Sequence, residues 1–158
     1  MLPEGLMARI LIVYHSQTGN TRQMAEAVAR GVTDEGSVAA LKQAFDCTPS
    51  DLIECDGLVL ASPEYFGYMA GAIKDFFDRT YEELREHPKV TRKPYCIVIS
   101  AGNDGQGAVM QIERICKGYR FKRVQKPIVS KGTVTQEVLA ACAEVGRVLA
   151  AGCEAGVF

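Results

Sequence analysis

The 158-residue chain has no tryptophan and only two histidines, His15 and His87, which leaves little for histidine-based metal chemistry. It has no apolar run of about 18 residues, the length a membrane-spanning helix needs. It also lacks a charge excess. Eighteen basic residues against nineteen acidic ones leave a formal charge of −1, so no large field is aimed at nucleic acid or acidic lipid. The six cysteines (Cys47, Cys55, Cys96, Cys116, Cys142 and Cys153) include no C-x-x-C or other short chelating pair. That argues against zinc and iron–sulfur sites and leaves the thiols as small packing residues. Residues 1–7 have neither a basic n-region nor a sustained apolar core, so they read as a tail and not as a signal peptide. The expectation is a cytosolic protein with one domain over residues 8–158. A composition 47% hydrophobic and 23% charged suits such a packed domain.

What is present is an alternation of short apolar runs with helical patterns. Arg9–Tyr14, Gly57–Ala61 and Tyr95–Ser100 are continuous runs of strand length, suited to strands buried on both faces. Pro127–Ser130 is a weaker run, and Val38–Leu41 reads as a short edge strand. Between them, Met24, Ala25, Val28, Ala29 and Val32 form one helical stripe that ends near Gly36. Thr48-Pro49-Ser50-Asp51 reads as a helix start, with proline at the first helical position. Met69, Ile73, Phe76, Phe77, Thr80, Tyr81 and Leu84 mark a long third helix. Val109, Ile112, Ile115 and Cys116 mark a fourth, stopped by Gly118. Thr133-x-x-Gln136 reads as a capping box before the last helix, whose stripe is Leu139, Cys142, Val145, Gly146 and Leu149. Strictly alternating strands and helices predict a three-layer α/β/α sandwich with a parallel sheet.

In such a sheet ligands bind beyond the carboxyl ends of the strands. Three loops there stand out. The first, Ser16-Gln17-Thr18-Gly19-Asn20-Thr21, combines hydroxyl and amide donors with a glycine at a helix start, where unpaired N–H groups suit a phosphate. It carries no lysine and does not fit G-x-x-x-x-G-K-[ST], which disfavours nucleoside triphosphate hydrolysis. A G-x-G-x-x-G turn is also missing, which argues against a dinucleotide fingerprint. The second loop, Ser62-Pro63-Glu64-Tyr65-Phe66-Gly67-Tyr68, offers three aromatics that could stack on a planar ligand or cap the third helix. The third, Ala101-Gly102-Asn103-Asp104-Gly105-Gln106-Gly107, supplies three glycines for close backbone approach together with polar side chains. Together the loops describe a site for a phosphorylated, planar, heteroaromatic ligand.

With these residues in place, the chain resembles the flavodoxin-like flavoprotein superfamily. Ser16–Thr21 is similar to that family's [ST]-x-T-G-x-T phosphate-binding signature, and Ser62–Arg79 resembles the matching segment of NAD(P)H-dependent FMN and quinone reductases. The resemblance implies five parallel strands in the order 2-1-3-4-5 and FMN as cofactor. It implies that Ser16, Gln17, Thr18, Gly19, Asn20 and Thr21 hold the ribityl phosphate. Pro63, Glu64, Tyr65, Phe66 and Gly67 would line one side of the isoalloxazine, and Ala101, Gly102, Asn103, Asp104 and Gly107 its pyrimidine edge. His15 is expected to be structural. The implied activity is electron transfer from NAD(P)H through FMN to a quinone, a flavin or a protein. The alternative is a flavodoxin-type carrier with no NAD(P)H activity of its own.

Residues 101–107 contain no aromatic, so one ring face would stay open to a second planar molecule or to a neighbouring subunit, and a homo-oligomer, most often a dimer, is expected. A phosphoacceptor receiver domain needs acidic residues where this chain has Tyr14-His15 and Ala61-Ser62. Finally, Arg114, Lys117, Arg120, Lys122, Arg123 and Lys126 form a basic stretch without an acid. It reads as a solvated helix end, or as a patch for an acidic redox partner or the 2′-phosphate of NADPH.

Overall fold

The computed structural model describes residues 7–158, so most of the expected tail lies outside the described residues. The central parallel strands are β1 (Arg9–Tyr14), β2 (Val38–Gln43), β3 (Gly57–Tyr65) and β5 (Pro94–Ala101). Two short strands, β6 (Lys122–Arg123) and β7 (Ile128–Lys131), both pair with β5 and together stand where a single fifth strand was expected. The sheet order is β2-β1-β3-β5 and then β6 and β7, which is the 2-1-3-4-5 order with its last strand broken.

The break has a local cause. Pro127 cannot donate to a ladder, and Gln125 turns inward, its amide donating to Val145 O at 3.1 Å and Cys96 Sγ at 3.3 Å.

Alternation along the strands divides the core in two. Ile10, Ile12, Val59, Val98 and Cys96 face α1 (Asn20–Asp34) and α5 (Gln136–Ala155). Leu11, Val13, Leu58, Leu60, Ile97 and Ile99 face α2 (Pro49–Glu54), α3 (Gly71–Leu84) and α4 (Gln106–Gly118). On the first face, α1 and α5 meet backbone to backbone. A Cβ at Gly31 would lie 1.8 Å from Ala143 O, and one at Gly146 would lie 2.1 Å from Val28 O.

Three local expectations are corrected. Met69 lies in β4 (Tyr68–Met69), not on the third helix, because β3 runs on to Tyr65 and folds back as a hairpin. The aromatic second loop is therefore largely strand. The last helix is capped by Thr135, whose hydroxyl accepts from Val138 N, and not by Thr133. At α2 the expected cap stands: Thr48 and Asp51 form a reciprocal capping box with proline at the helix start.

Candidate functional site

The carboxyl ends of β1, β3, β5 and β7 meet at one edge of the sheet. They enclose an open cavity of about 220 Å³ lined by Thr18, Asn20, Pro63, Glu64, Tyr65, Ser100, Ala101, Gly102 and Gly132. All three predicted loops contribute. A fourth, the turn after β7, contributes Gly132, whose N–H donates to Ala101 O at 2.8 Å.

The first loop is organised around Ser16. Its hydroxyl accepts from Gly19 N and Arg22 N, each at 3.2 Å, and the N-cap residue Gly19, at a left-handed φ of 101°, has no side chain to cap α1 itself. The backbone N–H groups of Thr18, Asn20 and Thr21 find no acceptor among the described residues. A helix start with free amides and a favourable dipole is an anion site in waiting. The Thr21 side chain takes no part at the surface. It is buried and shares a 2.7 Å hydrogen bond with Ser100 Oγ, which fastens the loop to β5. The nearest cation, Arg22, is paired with Glu26 at 2.8 Å.

The start of α4 behaves differently, although Gly105 at φ 70° opens it in the same way. Asp104 Oδ1 accepts from Gln106 N at 3.1 Å, and Glu64 Oε2, reaching from the hairpin, accepts from Ala108 N at 3.1 Å. These carboxylates occupy the helix start themselves. Gly107 allows the close approach, since a Cβ there would lie 2.1 Å from Gly67 O. The second and third loops are thus locked together through Glu64 and the Gly67–Gly107 contact.

At the hairpin tip, Phe66 (φ 52°) and Gly67 (φ 71°) both have positive φ between the paired Tyr65 and Tyr68, the signature of a type I′ turn. The Phe66 ring is fully exposed, so within this chain it lines nothing. Tyr65 OH donates to Gln17 Oε1 at 3.0 Å and ties the hairpin to the first loop. His15 has the structural place expected of it. Its N–H donates to Ala61 O, and its ring meets Tyr65 and Phe45 edge-on at centroid distances of 6.3 and 6.5 Å. Asn103 and Asp104 stand exposed beside the cavity.

Two features lie away from the site. The six cysteines are free and buried, and burial pushes their thiols up, Cys55 to about 11 and Cys47, Cys96, Cys142 and Cys153 to about 12. The basic stretch surrounds β6, which pairs with Pro94 and Tyr95 at the opposite end of β5, about 23 Å from Ala101. Arg123 there is paired with Glu113. None of the six cations lines the cavity, which argues against their holding the 2′-phosphate of a nucleotide at this site.

Sequence reasoning missed Ser100 and Gly132. The signal was available: Ser100-Ala101-Gly102 and Ser130-Lys131-Gly132 repeat a Ser-x-Gly pattern at the ends of two apolar runs.

A broken-edged parallel sheet with an open helix start at its switch point defines a flavodoxin-like binding fold. Residues 48–136 match the family described as NADPH-dependent FMN reductase, and the chain belongs to that family. The match begins after the Ser16–Thr21 loop, so that loop is independent support. A flavodoxin of Aquifex aeolicus is 34% identical over 119 residues, covering 73% of this chain and 63% of that protein. An NAD(P)H dehydrogenase (quinone) of Archaeoglobus fulgidus is 31% identical over 99 residues, covering 47% of this chain and 52% of that protein. The chain thus spans between about half and two thirds of the length of these relatives. A flavodoxin from the domain Archaea superposes with a TM-score of 0.79 at 21% identity, over 92% of this chain and 99% of that one, which shows the fold.

Proposed function

We propose that the chain binds FMN at this edge and works as an NAD(P)H-dependent reductase that passes electrons to a quinone, a free flavin or a protein. The observation that carries the reading is the contrast between the two glycine-capped helix starts. At α1 the Asn20 and Thr21 amides stay free beside the cavity and only Arg22 N is taken, by Ser16 Oγ, while at α4 the protein's own carboxylates take Gln106 N and Ala108 N. The residues present fit the cofactor. The amides of Thr18, Asn20 and Thr21, with the Thr18 and Asn20 side chains, would take its phosphate without a cation. Ser16 and Gly19 hold those amides in place, Gln17 steadies Tyr65, and Glu64 fixes the second loop against the third. Pro63, Tyr65, Ala101 and Gly102 would border the ring, with Asn103, Asp104, Gly107, Phe66 and Gly67 around it. Bound FMN supplies the hydride-accepting and electron-donating chemistry, and the protein supplies position and electrostatics.

Exposed Phe45, Phe66 and Met110 support a homo-oligomer, which light scattering would test. Among the described residues no helix is long and apolar enough to cross a membrane. Six unpaired cysteines support a cytosolic location.

Saturating FMN at about 100 times its dissociation constant adds roughly 2.7 kcal/mol, which should raise the melting midpoint by about 5–10 °C. A midpoint indifferent to FMN overturns the reading. Stopped-flow mixing of the holoprotein with NADH and NADPH should bleach the flavin with at least one of them. No bleaching with either would replace the reductase by a carrier.

A further inference from the structure

Ser130 Oγ is the one buried side-chain polar atom among the described residues that finds no hydrogen-bond partner, and the residue is 1% exposed. An orphaned buried hydroxyl costs stability unless something else pairs with it. Its position is informative. Ser130 on β7 stands in parallel register with Ser100 on β5, so both side chains leave the same face of the sheet. That is the face of α1, because Ser100 Oγ bonds Thr21 Oγ1. Just past the ends of the two strands stand Gly102 and Gly132, which both line the cavity and have nothing within 4 Å of where a Cβ would be. Two adjacent strands therefore end in Ser-x-Gly. The glycines leave a slot, and the serines lie beneath it. Ser100 already lines the cavity, and Ser130 is its direct neighbour in the sheet register.

We propose that Ser130, beside Ser100, is a further binding residue whose hydroxyl pairs with the polyhydroxylated chain that joins phosphate to ring. The inference rests on the FMN reading and adds to it a residue at the far edge of the sheet.

The test compares three flavins on the flavin-free protein by fluorescence titration: FMN, riboflavin, and lumiflavin, which lacks the polyol chain. Ser130→Ala should weaken FMN and riboflavin by about three- to tenfold, the worth of one hydrogen bond, and leave lumiflavin unchanged. The flavin-free variant should melt no lower than the parent, because it loses an unpaired buried hydroxyl and no bond. Unchanged FMN affinity in Ser130→Ala overturns the proposal, as does an equal loss for lumiflavin, which would place the effect on the ring or the fold. A parent protein that binds none of the three flavins overturns the FMN reading itself, a result distinct from either.

Discussion

The hairpin tip offers the sharpest test of how a local rule gives way to function. A two-residue turn with positive φ at both central positions favours Asn-Gly, yet this chain places Phe66 before Gly67 at φ 52°. A bulky residue in the left-handed region costs about 1–2 kcal/mol. The Phe66 ring is fully exposed, so it recovers nothing by burial within the chain. Phe66→Asn should therefore stabilise the flavin-free protein by about 1 kcal/mol, a rise of about 2–4 °C in melting midpoint for a domain of this size. The same substitution should weaken FMN by up to about tenfold, because a ring stacked on a ligand contributes about 0.5–1.5 kcal/mol beyond its buried area. Calorimetry of the flavin-free protein and fluorescence titration of FMN read the two effects separately. A lower midpoint would mean that the ring is packed and the strain argument is wrong. A higher midpoint with unchanged affinity would remove Phe66 from the cofactor's surroundings.

Other consequences can be checked on the purified protein. Gly146→Ala forces a methyl against Val28 O at 2.1 Å and must separate α1 from α5; it should cost about 2–3 kcal/mol, and denaturant unfolding that shows under 0.5 kcal/mol would contradict the close crossing. With every cysteine buried and its thiol pushed up, the native protein should give no fast reaction with a disulfide reagent at pH 8 and six equivalents once unfolded. One fast native thiol would refute this. Burial works to raise the Asp51 carboxyl, but hydrogen bonds from Lys42 and Thr48 outweigh it and hold the group below the usual range. A carboxyl lowered on folding contributes stability above its unfolded value near ~4 and loses it as pH falls through the folded value. Asp51→Asn should therefore flatten the stability profile below about pH 4, and a profile parallel to that of the parent would refute the assignment.

The strands were legible because they are buried on both faces. Runs such as Arg9–Tyr14 and Tyr95–Ser100 leave no solvent face to alternate with, and their spacing allows little but a parallel sheet. The phosphate loop was legible because its donors are consecutive in sequence. The hairpin was not, since Met69 fits the spacing of the helix that follows and Tyr68 reads as loop, and only pairing with Glu64 and Tyr65 makes them a strand. The broken last strand was half legible. Pro127 announces an interruption, but the inward turn of Gln125 onto Cys96 and Val145 joins residues 20 and more apart and leaves no local pattern. The Ser100–Thr21 bond, across 79 positions, is of the same kind. Such contacts belong to the packed sheet and not to any window of sequence.

The two glycine-capped helix starts bear on where the chemistry must come from. In sequence they look alike, each a polar, glycine-bearing turn between a buried strand and an amphipathic helix. In the fold, α4 is served by Asp104 and Glu64, so two of its first three amides are spent on the protein's own carboxylates. Glu64 is also the only carboxylate lining the cavity among the described residues, and no lysine, arginine or histidine lines it. That carboxylate is engaged as a helix cap and the Tyr65 hydroxyl is tied to Gln17, so the cavity lining offers no carboxylate–histidine or carboxylate–lysine pair for acid–base work. It has neutral donors, free amides at α1 and a hydroxyl floor at Ser100. Those groups can hold a phosphate and a polyol, and they can orient a planar ring. They cannot by themselves move a hydride or an electron. A site built in this way is one that positions a redox cofactor and leaves the electron chemistry to it.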